Sequence, residues 1–145
     1  MSCYIKKVST VSPIGDLGEN LNLNTFAANN FNAVEPDNKE VRANASLRRR
    51  MNRRLKMGTY SAIRFLADTD VDMMLTATSL GSISDTEKML DTIYSSGETL
   101  GNPTAFIQST FNTLAGNIAQ LKSTHIPNVT LVNRGETVAN ALGYA

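Results

Sequence analysis

Residues 73–145 alternate between short apolar runs and longer stretches of helical period, and this alternation limits the fold more than any other feature. Met73-Met74-Leu75-Thr76-Ala77-Thr78 is closed by Ser79-Leu80-Gly81 and reads as a buried strand. Ser84-Asp85-Thr86-Glu87 opens a helix whose apolar stripe is Met89, Leu90 and Ile93, with Gly97 as its stop. Pro103 precedes one long helical stripe through Phe106, Ile107, Phe111, Leu114, Ile118 and Leu121. After Pro127, Val129-Thr130-Leu131-Val132 is a second short buried strand, and a last helix runs from Gly135 through Val138, Ala141 and Leu142. Strand, helix, strand and helix in this order predict an α/β fold with part of its sheet parallel.

The first third is different. Tyr4-Ile5-Lys6-Lys7-Val8-Ser9-Thr10-Val11 is rich in β-formers and ends at the turn signal Ser12-Pro13-Ile14-Gly15. Residues 16–46 carry Asn20, Asn22, Asn24, Asn29, Asn30, Asn32, Pro36 and Asn38 with no sustained period, so they read as an irregular connection. A short helix over Leu21–Asn30 is the alternative within it. Ser46 is placed to cap a helix from Leu47 towards Ala67, with Leu47, Met51, Leu55, Met57, Ala62, Ile63, Phe65 and Leu66 as its stripe. Gly58 weakens that helix or marks a close contact. A chain of 145 residues suits one domain over 1–145, and it is long enough to bury a core without staples.

Composition excludes several functions. Fourteen Lys and Arg against 13 Asp and Glu leave a net charge of +1, too little for a polyanion binder that works by bulk charge. One Cys and one His exclude a disulfide framework and a Cys/His zinc site. Asp68, Asp70 and Asp72 lack the glycine and distal Glu of a calcium loop and read as turn acids. Gly15-Asp16-Leu17-Gly18 does not match a phosphate-cradling loop. No metal or cofactor is therefore expected. No apolar run approaches the ~20 residues of a membrane span, and Met1–Lys7 has no apolar leader, so a cytoplasmic protein is the expectation. Cys3 reads as an incidental thiol and His125 as a solvated loop residue.

Two features ask for more. Arg48, Arg49, Arg50, Arg53, Arg54 and Lys56 gather six of the 14 cations into one stretch. On one continuous helix 49, 53 and 56 would share a face with 50 and 54 beside it, as a solvated surface or a dock for an acidic partner. Nucleic acid is the weaker reading, because no aromatic residues interleave. The stripe Phe106, Ile107, Phe111 and Leu114 is core by default, yet Gln108, Ser109, Thr110, Asn112, Thr113 and Asn117 around it suit an interface or channel.

Several of these blocks together resemble a known family. They are Arg49-Arg50-Met51-Asn52-Arg53, Lys56-Met57-Gly58, Thr76-Ala77-Thr78-Ser79-Leu80-Gly81, Asp85-Thr86-Glu87-Lys88, Asn102–Thr113, Gly116-Asn117-Ile118-Ala119 and Asn128-Val129-Thr130. With the opening Val8–Gly15, the chain resembles the N-terminal half of β-ketoacyl-acyl-carrier-protein synthases, the thiolase-like condensing enzymes. It is similar in particular to the short synthase-like proteins of bacterial aryl-polyene and flexirubin-type pigment clusters. The resemblance implies a thiolase-like half-domain, a mixed sheet with packed helices.

It also implies where function would sit. In the family the strand after the Asn-x-Thr element runs into a Thr-Ala-Cys nucleophile turn. Here the stretch is Val132-Asn133-Arg134-Gly135-Glu136, and Gly135 stands at the nucleophile-equivalent position. Glycine cannot form an acyl-enzyme thioester, and the family's two catalytic histidines belong to its C-terminal half, which this sequence does not contain. No catalytic residue is assigned. The resemblance places Phe106, Ile107, Ser109, Thr110, Phe111 and Asn112 at a subunit interface or acyl channel. It makes Arg48, Arg49, Arg53 and Lys56 a dock for an acidic acyl carrier protein. The expected function is a non-catalytic, chain-length-factor-like subunit in fatty acid or polyene biosynthesis, as a homo-oligomer or with a catalytic ketosynthase. The alternative is an acyl-binding or residual acyltransferase-type enzyme acting without the cysteine.

Overall fold

A computed structural model describes residues 5, 9–11, 44–66, 69–99 and 101–145. Cys3, Asp68, the turn at 12–15, residues 16–43 of the Asn-rich stretch and most of the predicted first strand lie outside the described residues.

Where one helix was expected over 47–67 there are two, α1 (Ala45–Arg50) and α2 (Arg53–Leu66). The cap of α1 is Asn44 and not Ser46: Asn44 Oδ1 accepts from the Leu47 amide at 3.1 Å, and the Ser46 hydroxyl donates to the same oxygen at 3.0 Å. Met51 is extended (φ −77°, ψ 131°), and Asn52 restarts the helix by accepting from the Leu55 amide at 2.8 Å. A polar side chain that satisfies a first-turn donor makes the break stable.

The apolar stripe survives it. Leu47, Met51, Leu55 and Ile63 are buried together, and Leu114 and Leu121 pack on them. A second cluster of Met74, Ala115 and Ile118 is flanked by Ala62, Leu66, Leu114, Ala119 and Ile126. Leu114 joins both clusters. It also lies against Gly58, where an added Cβ would be 3.0 Å from both Leu114 methyl carbons, so this glycine marks a close helix contact.

Strands β1 (Met74–Ala77) and β2 (Asn128–Leu131) pair in parallel, Met74 opposite Asn128 through Ala77 opposite Leu131. The Met74 amide donating to Pro127 O and the Thr78 amide donating to Leu131 O extend the ladder at both ends. Both strands are less buried than their apolar runs suggest: only Met74 is buried in β1, and β2 is half-buried throughout. Between them run α3 (Ile83–Ser95), α4 (Pro103–Ser109) and α5 (Thr113–Lys122). Helix α3 ends as expected at Gly97, in the left-handed region at φ +60°.

The long stripe after Pro103 is also divided. Thr110 is extended, and the hydroxyls of Thr110 and Thr113 both donate to Ile107 O, at 3.0 and 2.6 Å. These bonds satisfy the end of α4 and turn the chain before α5. The last helix, α6 (Thr137–Tyr144), begins two residues later than expected, after a 3₁₀ turn over Arg134–Glu136. Buried Thr137 holds that turn, donating to Arg134 O and accepting from the Asn133 amide, both at 2.9 Å.

Candidate functional site

The block 106–112 is folded with its apolar residues outward. Ala105 and Gln108 face in and are buried, whereas Phe106, Ile107 and Phe111 are 60%, 55% and 53% exposed. This corrects the core reading for these three residues. The buried part of the stripe is Ala115 and Ile118, backed by Leu114 and Leu121. Thr110 and Asn112 are exposed and Ser109 is half-buried. The block is tied to the sheet by hydroxyls: Thr76 and Thr130 oxygens are 2.6 Å apart across the strands, and Thr130 donates to Asn112 Oδ1 at 3.1 Å. Phe111 reaches the opposite loop, where its ring lies against Gly81. Beside the block, Met89, Ile93, Gly101, Asn102, Pro103 and Phe106 line an apolar cleft of about 230 Å³ between α3 and α4.

The basic stretch does not form one face. Arg48 and Arg49 are exposed on the last turn of α1, where cations complement the helix dipole, and Arg53 and Lys56 open α2 beyond the break. Arg54 departs from the run: its Nη1 donates to Thr78 Oγ1 at 3.0 Å. Burial draws its pKa down, with the nearby Asp85 charge acting in the opposite direction.

A polar knot lies behind Arg54, and no single stretch of sequence shows it. Asn52 Nδ2 donates to Ser82 Oγ at 2.7 Å and to the Asp85 carboxylate, while Ser82 Oγ donates to Asp85 Oδ2 at 2.6 Å. Ser82 and Asp85 are 2% and 7% exposed. The knot ties the start of α2 to the first turn of α3. The carboxylate, predicted as an opening residue of α3, is a buried acceptor joining two helices.

Gly135 is exposed in the 3₁₀ turn before α6, and a Cβ built on it would meet nothing within 4 Å. The position is open space bearing no functional group. His125 is exposed in its linker, as expected. Among the described residues no three His, Cys, Asp or Glu are grouped to hold a metal, and no helix is long and apolar enough to cross a membrane.

Residues 24–145 match the family model for the N-terminal domain of beta-ketoacyl synthases. The chain belongs to this family. It is similar in structure to a chain of the ketosynthase ApeO in complex with its chain length factor ApeC from Xenorhabdus doucetiae, with a TM-score of 0.75 at 15% identity. That match covers 97% of this chain and 59% of the other, so this synthase-type domain spans little more than half of the solved relative. The thiolase-like α/β fold implied by the sequence stands on this likeness. No curated protein matches the chain.

Proposed function

We infer that this chain is a non-catalytic, chain-length-factor-like partner of a condensing enzyme in fatty acid or polyene biosynthesis. The outward-facing block of Phe106, Ile107 and Phe111 carries the reading, since large apolar side chains exposed together in one short segment suit an interaction surface. The solved relative, itself a ketosynthase bound to its chain length factor, supports it. Gly135 supports the non-catalytic part, because a turn without a thiol has nothing to carry an acyl thioester. In this reading residues 1–145 are one cytoplasmic domain, and the block 106–112 pairs with a second copy or with a catalytic ketosynthase.

Solution mass tests the pairing. The wild-type protein, alone or mixed with a ketosynthase, is expected to sediment as a dimer or larger species. Burying one phenylalanine contributes ~1.5–3 kcal/mol, so Phe106→Ala should weaken association ~10–100-fold with its circular dichroism unchanged. A folded Phe106→Ala protein that associates as tightly as wild type, or a wild type monomeric in both settings, removes the interface.

The apolar cleft beside Phe106 favours one further reading, an acyl-binding protein whose chain lies between α3 and α4. In both readings the exposed Arg48, Arg49 and Arg53 dock an acidic carrier protein. Such docking is weak and screened over ~10 Å at 0.1 M salt. Titration with a carrier protein is expected to show binding that falls with salt and is lost in an Arg48/Arg49/Arg53→Ala triple variant. Equal binding by both proteins at two ionic strengths would leave these arginines as a solvated face.

A further inference from the structure

A second cavity, about 450 Å³ in volume, opens at the carboxyl end of β1. Its size falls within the ~300–1,000 Å³ of small-molecule sites, and the carboxyl ends of parallel strands are where α/β folds bind ligands. Ala77 and Thr78 form its edge at the strand, and Leu55, Met57 and Leu114 give it apolar walls. Arg54 is the only ionisable side chain among the described residues lining it, and Asp85 is not among them.

We propose that this cavity binds a small monocarboxylate, with the Arg54 guanidinium holding the carboxylate and Leu55, Met57 and Leu114 covering its apolar body. A guanidinium carries five N–H donors in a planar fork, and a carboxylate accepts two of them in parallel. The Thr78 hydroxyl holds the fork at 3.0 Å and so fixes its direction before a ligand arrives. Ser61, two turns further along the same face of α2, adds a hydroxyl to the wall, which donates to Ser9 O at 3.2 Å. One cation and an apolar floor fit a monoanion with a compact body. A phosphate ester, which carries more charge, would call for a second cation.

The probe is cyclohexanecarboxylate, compared with the neutral cyclohexylmethanol, each titrated into the whole chain and followed by amide chemical shifts. The acid is expected to shift the amides of residues 54–61 and 77–78 saturably, and the alcohol to bind at least about tenfold more weakly. Arg54→Gln should weaken the acid by a similar factor and leave the alcohol unchanged. The acid–alcohol comparison is made on wild-type protein, so it stands even if the variant fails to fold. Equal affinity for acid and alcohol, no saturable shift, or shifts confined to the cleft at Met89 and Phe106 would each overturn the proposal. None of these results depends on whether the chain pairs with a synthase.

Discussion

Replacing Asp85 with alanine is expected to lower the unfolding free energy by roughly 2–4 kcal/mol, a large share of the ~5–15 kcal/mol that holds a domain together. The carboxylate is 7% exposed and accepts from two side chains, Ser82 at 2.6 Å and the Asn52 amide. Alanine leaves the Ser82 hydroxyl without its acceptor and Asn52 Nδ2 with Ser82 Oγ alone. A buried unsatisfied donor costs ~1–3 kcal/mol, more where the lost acceptor was charged, and the attraction between Asp85 and Arg54 is lost besides. Asp85→Asn keeps the shape and one acceptor oxygen, so it should lose only about half as much. Asn52→Ala removes the α2 cap as well as the bond to Asp85, at ~0.5–2 kcal/mol for the cap alone. Urea denaturation of the two single variants and the double variant should give a coupling of at least ~0.5 kcal/mol, since the residues share one network. An Asp85→Ala protein within ~1 kcal/mol of wild type, or additive single effects, would mean that the knot does not join the two helices.

This knot also shows where the sequence stops being legible. The stripe Leu47, Met51, Leu55 and Ile63 is readable because burial on a helix repeats every 3.6 residues, and the four do form one cluster. The breaks at 51–52 and 110–112 are not readable from that period. They are made by Asn52, Thr110 and Thr113 bonding to nearby backbone, and such residues look like ordinary polar positions until the competing bond is seen. The pairing of Asn52 with Ser82 and Asp85 spans 30 and 33 residues, beyond any local pattern.

The site was legible to a different degree. Periodicity marks Phe106, Ile107 and Phe111 as one apolar side, but it carries no sign to say whether that side meets the core or the outside. The polar neighbours Ser109, Thr110 and Asn112 and the family resemblance supplied the hint, and the fold places the three apolar residues outward. The single helical face expected of the charged stretch is divided for a different reason. A face counted at 100° per residue is valid only along one unbroken helix, and Met51 is extended in the middle of this one. Arg54 therefore turns to Thr78, and the face predicted for 49, 53 and 56 is shared between two helices.

Gly81→Ala is expected to be about as damaging as Asp85→Ala, at ~2–4 kcal/mol, for reasons that can be separated. Gly81 sits at φ +65°, between β1 and α3, with its amide donating to Thr78 Oγ1 at 3.1 Å. An L-residue in this left-handed region costs ~1–2 kcal/mol. A Cβ there would also lie 2.4 Å from both Cδ1 and Cε1 of Phe111, so the ring must leave its seat, and overpacking of that kind adds ~1–3 kcal/mol. The ring is half exposed and free to move outward, which holds the second cost below that of a clash in the core. In a Phe111→Ala background the contact is gone, and Gly81→Ala should cost only the backbone strain. Because the ring belongs to the outward block, the single Gly81→Ala variant should also lose association at concentrations where it remains folded. If Gly81→Ala costs the same with and without Phe111, the ring is not seated on the glycine, and the loop after β1 plays no part in presenting the aromatic face.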